Sequence, residues 1–223
     1  MSGILNLGSK LTVKPSGLAF FLLTCALSIN ASLFSVPLFA GQFNPTRNIG
    51  DSVSGWTNLP GTDDKQHSLA DLKAFDVVVV VFTCNSCPYA VDYEDRINTL
   101  AKKFSESKMK AVVVAINSNK IEADLMPAMK KRAADKAFQF AYLFDESQEV
   151  AKQFGAVRTP EFFVLDKERR IAYMGAFDDN TKVDLVQQKY LEEAVTSALA
   201  SKPIVSKETA PVGCIIRLDC KRK

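Results

Sequence analysis

The sequence is short of histidine and of any marked net charge. It holds one histidine, His67, and 28 lysine and arginine residues nearly balance 25 acidic ones, which gives a net charge of +3 over 223 residues. So small and dispersed an excess gives no argument for nucleic acid as a partner. We see no internal repeat or low-complexity tract, and 47% hydrophobic with 24% charged residues is typical of a globular domain.

Charge is absent from a long N-terminal stretch. No charged residue occurs between Lys14 and Arg47, and this stretch has a basic start, an apolar run and small residues near its end. That is the layout of a secretory signal, with cleavage after Ala40 or Ala31. We predict that residues 1–40 are a signal peptide or membrane anchor, since the run is long enough for an uncleaved anchor. The rest of the chain is then exported to the periplasm or another extracytoplasmic site.

Cysteines are few. Cys25 lies within the predicted signal, which leaves Cys84, Cys87, Cys214 and Cys220 in the exported part. This even number fits a compartment where disulfides persist. Four cysteines are nevertheless too few for a disulfide scaffold, so we expect a hydrophobic core to hold the domain together.

Strand-like and helix-like segments alternate from about Asn48. The run 76–82 is continuously apolar and largely β-branched, as expected for a central strand buried on both faces, and 111–117 resembles it. Later segments predict a hairpin and a closing helix. The order predicts an α/β fold, with a mixed central sheet flanked by helices and an N-terminal hairpin extension containing Trp56.

Cys84 and Cys87 fall where the first buried strand meets a helix. Free N–H groups and the dipole at a helix N-terminus lower the pKa of a thiol there. One thiol can then attack a substrate disulfide and the other can resolve the mixed disulfide. We expect Cys84 to be the more exposed, attacking thiol and Cys87 the resolving one. A purely structural disulfide would close too short a loop to stabilise the fold much.

Thr159 and Pro160 stand directly before a predicted strand. A trans proline there would disturb sheet pairing, so we predict a cis Thr159–Pro160 bond.

Several motifs resemble one family. The sequence contains "FTCNSCPYA", "YEDR", "NSN", "LFDESQEVAKQFGAVRTPEFFVLD", "GAFDDN" and "PVGC". In these it resembles thioredoxin-like proteins of the redoxin group, related to alkyl hydroperoxide reductases and thiol-specific antioxidant proteins, and within them a peroxiredoxin-like branch with a CNxCP motif. The resemblance extends from about Ile49 to Ile216. It implies a thioredoxin-like fold in which Thr159 and Pro160 lie beside the cysteine pair and receive substrate.

Two residues depart from the family pattern. Ser86 stands where histidine is common in the branch, and this removes a cation that would stabilise the Cys84 thiolate. Thr83 stands where ordinary thioredoxins carry tryptophan.

These observations predict an exported thiol–disulfide oxidoreductase without a cofactor or resident metal. Its partners would be protein or small-molecule disulfides and a thiol electron donor. One alternative is a thiol peroxidase, which would need a threonine where Cys84 stands and an arginine, Arg96 or Arg158, aimed at the peroxide. A further alternative is thiol-based copper or metal binding, for which His67 is the one histidine available.

The predicted domain spans residues 41–203 and is followed by a tail, 204–223. Within the tail, apolar and polar residues alternate, which predicts a surface strand. Six residues of strand span roughly 20 Å, so we predict that Cys214 and Cys220 are not bonded to each other. Cys214 is the candidate for a third redox thiol, while Cys220 is expected to be free or intermolecular.

Overall fold

The computed structural model describes residues 41–219. The predicted signal or anchor, with Cys25, lies outside these residues, as does Cys220. No helix within 41–219 is long and apolar enough to cross a membrane. The strands are β1 (Leu59–Pro60), β2 (Gln66–His67), β3 (Val77–Phe82), β4 (Ala111–Asn117), β5 (Ala141–Phe144), β6 (Arg158–Thr159), β7 (Glu161–Leu165), β8 (Ile171–Gly175) and β9 (Cys214–Ile215). The helices are α1 (Pro88–Glu106), α2 (Met126–Asp135), α3 (Glu149–Phe154) and α4 (Tyr190–Leu199).

A five-stranded sheet in the order β5–β4–β3–β7–β8 forms the centre of the domain. β3 runs parallel to β4 and antiparallel to β7, so that Val79 lies opposite Val113 on one side and Val164 on the other. All six residues of β3 are buried, as their unbroken apolar run predicts. The predicted mixed central sheet is therefore confirmed.

Helices cover both faces of the sheet. The apolar stripe of α1, which includes Ile97 and Phe104, packs with Leu191 of α4 against one face. Phe154 of α3 packs against the other face together with Trp56. Burial of each such side chain contributes roughly 1.5–3 kcal/mol, so the domain is held mainly by these two apolar layers.

The N-terminal hairpin consists of β1 and β2, which pair antiparallel. Its turn lies against the edge strand of the sheet, where the Thr62 N–H donates to the Tyr142 carbonyl oxygen at 3.0 Å. Trp56, just before the hairpin, is buried in the core. The predicted hairpin extension is thus present.

The tail returns to the domain after α4. β9 pairs antiparallel with β6, and Ile216 next to it is buried in the second core layer. Exposure alternates along this segment, from 69% for Ile215 to 4% for Ile216, as the sequence pattern predicts. The boundaries at residues 40 and 203 remain predictions.

Candidate functional site

The cysteine pair lies in the connection between β3 and α1. Pro88 is the first helical residue, a position where its missing N–H costs nothing, and Cys87 is the N-cap. Cys84 lies one turn earlier, in the loop. The expectation that Cys84 would sit at the helix N-terminus is therefore wrong, because Cys87 takes that position.

Both thiols are buried. Cys84 is 2% exposed and Cys87 1%, and both pack with Ala90 beneath Cys214, which is half-buried. We expected Cys84 to be the more exposed thiol, but the two exposures hardly differ, because both side chains are packed in the same cluster. All three described cysteines are free.

Thr159 contacts both members of the pair. Its Oγ1 lies 3.5 Å from the Cys84 Sγ, and its carbonyl oxygen accepts a hydrogen bond from the Cys87 Sγ at 2.9 Å. The peptide bond from Thr159 to Pro160 is cis, as predicted. The structure therefore brings together the four residues that the sequence singled out in two distant motifs.

The two thiols have opposite pKa shifts. Burial raises the pKa of Cys84 above its ordinary value, and the Asp124 carboxylate adds to this, against hydrogen bonds from Thr159 and Ser86. Burial also opposes ionisation of Cys87, but the side chains of Cys214 and Thr159, as donors to the thiolate, outweigh it and lower the pKa of Cys87. The thiol with the lowered pKa is thus Cys87, which corrects the expectation for Cys84.

Cys214 joins the pair from the tail. Its side chain packs against the cluster of Cys84, Cys87 and Ala90. The interaction with the neighbouring Cys87 thiol, together with some burial, raises the pKa of Cys214 to about 11. The structure thus places the predicted third thiol in contact with the pair.

Asp124 is part of the site and was missed in the sequence. Its fully buried carboxylate accepts hydrogen bonds from the backbone N–H and the hydroxyl of Ser86, at 2.9 and 2.7 Å. It follows β4, and parallel strands such as β3 and β4 end at the same edge of a sheet. Acidic residues just after 111–117 could therefore have been predicted to lie near the cysteine pair, although nothing in the local sequence distinguishes Asp124 from Glu122.

The two arginines considered for peroxide chemistry have other partners. The Arg96 guanidinium donates to the Asp178 carboxylate at 2.6 Å and lies 3.8 Å from the centre of the Tyr93 ring. Arg158 Nη1 donates to the carbonyl oxygen of Gly213 at 2.8 Å, so this arginine holds the tail.

His67 lies on β2 in the N-terminal hairpin, where its Nε2 is 2.9 Å from the Asp63 carboxylate. The structure does not bring it into the cysteine cluster. Within residues 41–219, no group of three or more histidine, cysteine, aspartate or glutamate side chains is arranged to hold a metal ion.

The mixed sheet, the cis-proline and the cysteine pair before α1 together define a thioredoxin-like protein. Within that class the chain belongs to the AhpC/TSA family, whose family model matches residues 49–174. This confirms the resemblance seen in the sequence.

Solved structures share this fold. A hypothetical protein from Sinorhizobium meliloti 1021 is 29% identical with a TM-score of 0.72, over 79% of this chain and 97% of its own. An uncharacterized conserved protein from Geobacillus kaustophilus has the same identity and TM-score, over 78% and 94%. A protein provisionally assigned as the thiol:disulfide interchange protein DsbE from Chlorobium tepidum shares the fold, at 21% identity and a TM-score of 0.54, over 68% and 98%. No curated protein was found to match the chain.

Proposed function

We propose that the chain is an exported thiol–disulfide oxidoreductase that works through Cys84 and Cys87. The observation that carries this proposal is the contact of both sulfur atoms with Thr159, directly before the cis-proline Pro160. Membership of the AhpC/TSA family supports redox chemistry at these thiols.

Cys84 is the attacking thiol in this proposal. Its loop neighbours Asn85 and Ser86 are half-buried and exposed, so substrate can approach from the loop side, whereas Cys87 lies beneath Cys214. Attack breaks the substrate disulfide and forms a mixed disulfide at Cys84. Cys87 then attacks that sulfur, which forms the Cys84–Cys87 disulfide and releases the second substrate thiol. A thiol electron donor returns the pair to the reduced state.

The pKa shifts suit the two steps differently. The lowered pKa of Cys87 makes its thiolate more available for the resolving step. The raised pKa of Cys84 keeps the attacking thiol protonated, so the first step should accelerate as pH rises.

The cis-proline turn is the proposed substrate contact. Thr159 and Pro160 would receive the backbone or the leaving half of a protein or small-molecule disulfide. Residues 1–40 would direct export or anchor the protein in a membrane, which gives the pair an environment where disulfides persist.

Reduction of insulin by the full-length chain with dithiothreitol as donor tests the activity. The wild-type chain should accelerate insulin precipitation, Cys84→Ser should abolish the acceleration, and Cys87→Ser should trap a mixed disulfide at Cys84. Cys220→Ser, which leaves Cys84 and Cys87 intact, is the matched control. Undiminished insulin reduction by Cys84→Ser would contradict the proposal. Rapid consumption of hydrogen peroxide without insulin reduction would favour the thiol peroxidase alternative.

Export has its own test. Residues 1–45 should carry alkaline phosphatase, which folds to its active form only outside the cytosol, to an extracytoplasmic location. A fusion that remains inactive in the cytosol would contradict the proposed compartment.

A further inference from the structure

The tail lies on the residue that precedes the cis-proline. In the antiparallel pairing of β6 with β9, Thr159 lies opposite Cys214 and Arg158 opposite Ile215. The approach is so close that a Cβ on Gly213 would overlap the carbonyl oxygen of Thr159. Only glycine therefore allows the tail to run at this distance from the cis-proline turn.

Hydrogen bonds hold the tail on both sides of Cys214. Before it, the Gly213 carbonyl oxygen accepts from Arg158 at 2.8 Å. After it, the Ile216 N–H donates to the Val157 carbonyl oxygen and the Arg217 N–H donates to Asn119 Oδ1, each at 2.9 Å. Cys214 is thus presented to the cysteine pair by a fixed strand, and such positioning raises the effective concentration of its thiol.

The sulfur atoms of the cluster differ in access. Cys84 and Cys87 are buried, whereas Cys214 is half-buried and packs against them. Cys214 is therefore the sulfur atom of the cluster that a thiol donor reaches most readily.

We propose that Cys214 is a third redox thiol that takes over the disulfide from the pair. This rests on the proposed function, in which a substrate disulfide has oxidised Cys84 and Cys87. The Cys214 thiolate attacks the Cys87 sulfur, the Cys87–Cys214 bond forms and the Cys84–Cys87 bond breaks. Cys84 leaves as a thiolate and takes up the proton that Cys214 released, so the step involves no net oxidation. A thiol donor then supplies two electrons at Cys214, so substrate and donor react at different sulfur atoms.

The ionisation of Cys214 agrees with this direction. The largest cause of the raised pKa of Cys214 is its interaction with Cys87. That cause is removed once Cys87 is in a disulfide, so Cys214 ionises more readily in the oxidised site.

Peptide mapping of the oxidised full-length chain tests the transfer. The reduced chain is treated with diamide, quenched in acid, alkylated and digested with trypsin. Cleavage after lysine and arginine places Cys84 and Cys87 in residues 74–96, Cys214 in 208–217 and Cys220 in 218–221. Each pair of linked peptides is therefore a distinct product, and the Cys84 and Cys87 variants show which cysteine of 74–96 is linked.

The expected product is a link between peptides 74–96 and 208–217. In Cys84→Ser this link should become the predominant disulfide, because Cys87 has lost its other partner, and in Cys87→Ser it should fall at least about tenfold. Cys220→Ser should leave the link unchanged. Far-UV circular dichroism checks that each variant folds, and Cys84→Ala replaces Cys84→Ser if the serine variant does not.

Two outcomes separate this proposal from the one it rests on. If the wild type reduces insulin but Cys87 is not linked to Cys214 in either the wild type or the Cys84 variant, the third-thiol proposal is wrong and the oxidoreductase proposal stands. If the wild type neither reduces insulin nor forms the Cys84–Cys87 disulfide, while Cys87 and Cys214 still become linked, the oxidoreductase proposal fails.

Discussion

The loop carrying Cys84 and Cys87 and the tail carrying Cys214 bring thiols to one place by different means. The loop directly joins β3 to α1, so elements adjacent in the chain position it. The tail arrives from the far end of the chain and depends on backbone pairing with β6 and on the burial of Ile216.

This difference makes the tail separable from the rest of the site. Substitutions in the tail can weaken the third thiol while leaving β3 and α1 in place, whereas changes in the loop affect the pair itself. Segments held by few buried contacts also open at lower free energy than the core does. The tail is therefore the part of the cluster that can be changed with the least effect on Cys84 and Cys87.

The largest effect is expected from the apolar anchor of the tail. Ile216→Ala should lower the free energy of unfolding by about 2–5 kcal/mol, since a fully buried isoleucine loses its contacts and leaves a cavity. Ile215→Ala, on the exposed side of the same strand, should change it by less than about 0.5 kcal/mol. Urea unfolding measures both variants. Equal losses at the two positions would show that the tail is not anchored by Ile216.

The buried carboxyl of Glu161, next to the cis-proline turn, should make the stability of the domain depend on pH. It is 2% exposed, and burial raises its pKa from 4.5 to about 7, against hydrogen bonds from the Val157 and Arg158 backbone N–H groups. A carboxyl group whose pKa is higher in the folded than in the unfolded protein stabilises the fold while it is protonated. That stabilisation is lost as pH rises from 4.5 to 7. This shift corresponds to at most about 3 kcal/mol.

Glu161→Gln should remove this part of the pH dependence. We expect wild-type stability, relative to the variant, to fall by up to about 3 kcal/mol between pH 4.5 and pH 7 and to stay level above that. Urea midpoints of both proteins across this range provide the measurement. Parallel curves would mean that Glu161 titrates with an ordinary pKa.

Much of the fold could be predicted because its signals are local. The predicted strand 76–82 is observed as Val77–Phe82, and 111–117 is observed as Ala111–Asn117. The cis Thr159–Pro160 bond and the alternating exposure of the tail also follow from residues near to one another in the sequence.

The environment of the thiols could not be predicted in the same way. Cys84 is buried beside Asp124, and Cys87 owes its lowered pKa largely to hydrogen bonds from Cys214 and Thr159. These partners come from the turn after β4 and from the two strands β6 and β9, so no window of sequence around the pair contains them. A helix N-terminus at Cys84 would make the first cysteine the more acidic one. Cys87 takes the N-cap instead, and contacts with distant residues lower its pKa further.

Asp124 lies outside the loop that carries Cys84 and Cys87 and binds that loop through Ser86. Asp124→Ala would remove the charged acceptor of the Ser86 N–H and hydroxyl, and loss of these hydrogen bonds should cost about 1–3 kcal/mol in the free energy of unfolding. Glu122→Ala, in the same turn but exposed, is the matched control and should change it by less than about 0.5 kcal/mol. Thermal and urea unfolding compare the two. A cost no larger than that of the control would mean that the loop keeps its shape without Asp124.

The smallest effects are expected in the pKa values of the thiols. Asp124, beside the loop, raises the pKa of Cys84, whereas Cys214 in the tail lowers the pKa of Cys87. Cysteine Cβ shifts in ¹³C NMR report ionisation without requiring access to a buried thiol. In the wild type, Cys87 should ionise at a pH below the ordinary 9.0 and Cys84 above it.

Asp124→Asn removes a charge that opposes the Cys84 thiolate, so the Cys84 midpoint should move to lower pH with little change at Cys87. Cys214→Ala removes a hydrogen bond to the Cys87 thiolate, so the Cys87 midpoint should move to higher pH with little change at Cys84. If either variant shifted both midpoints equally, loop and tail would form a single coupled unit, and the tail could not act on the cluster separately.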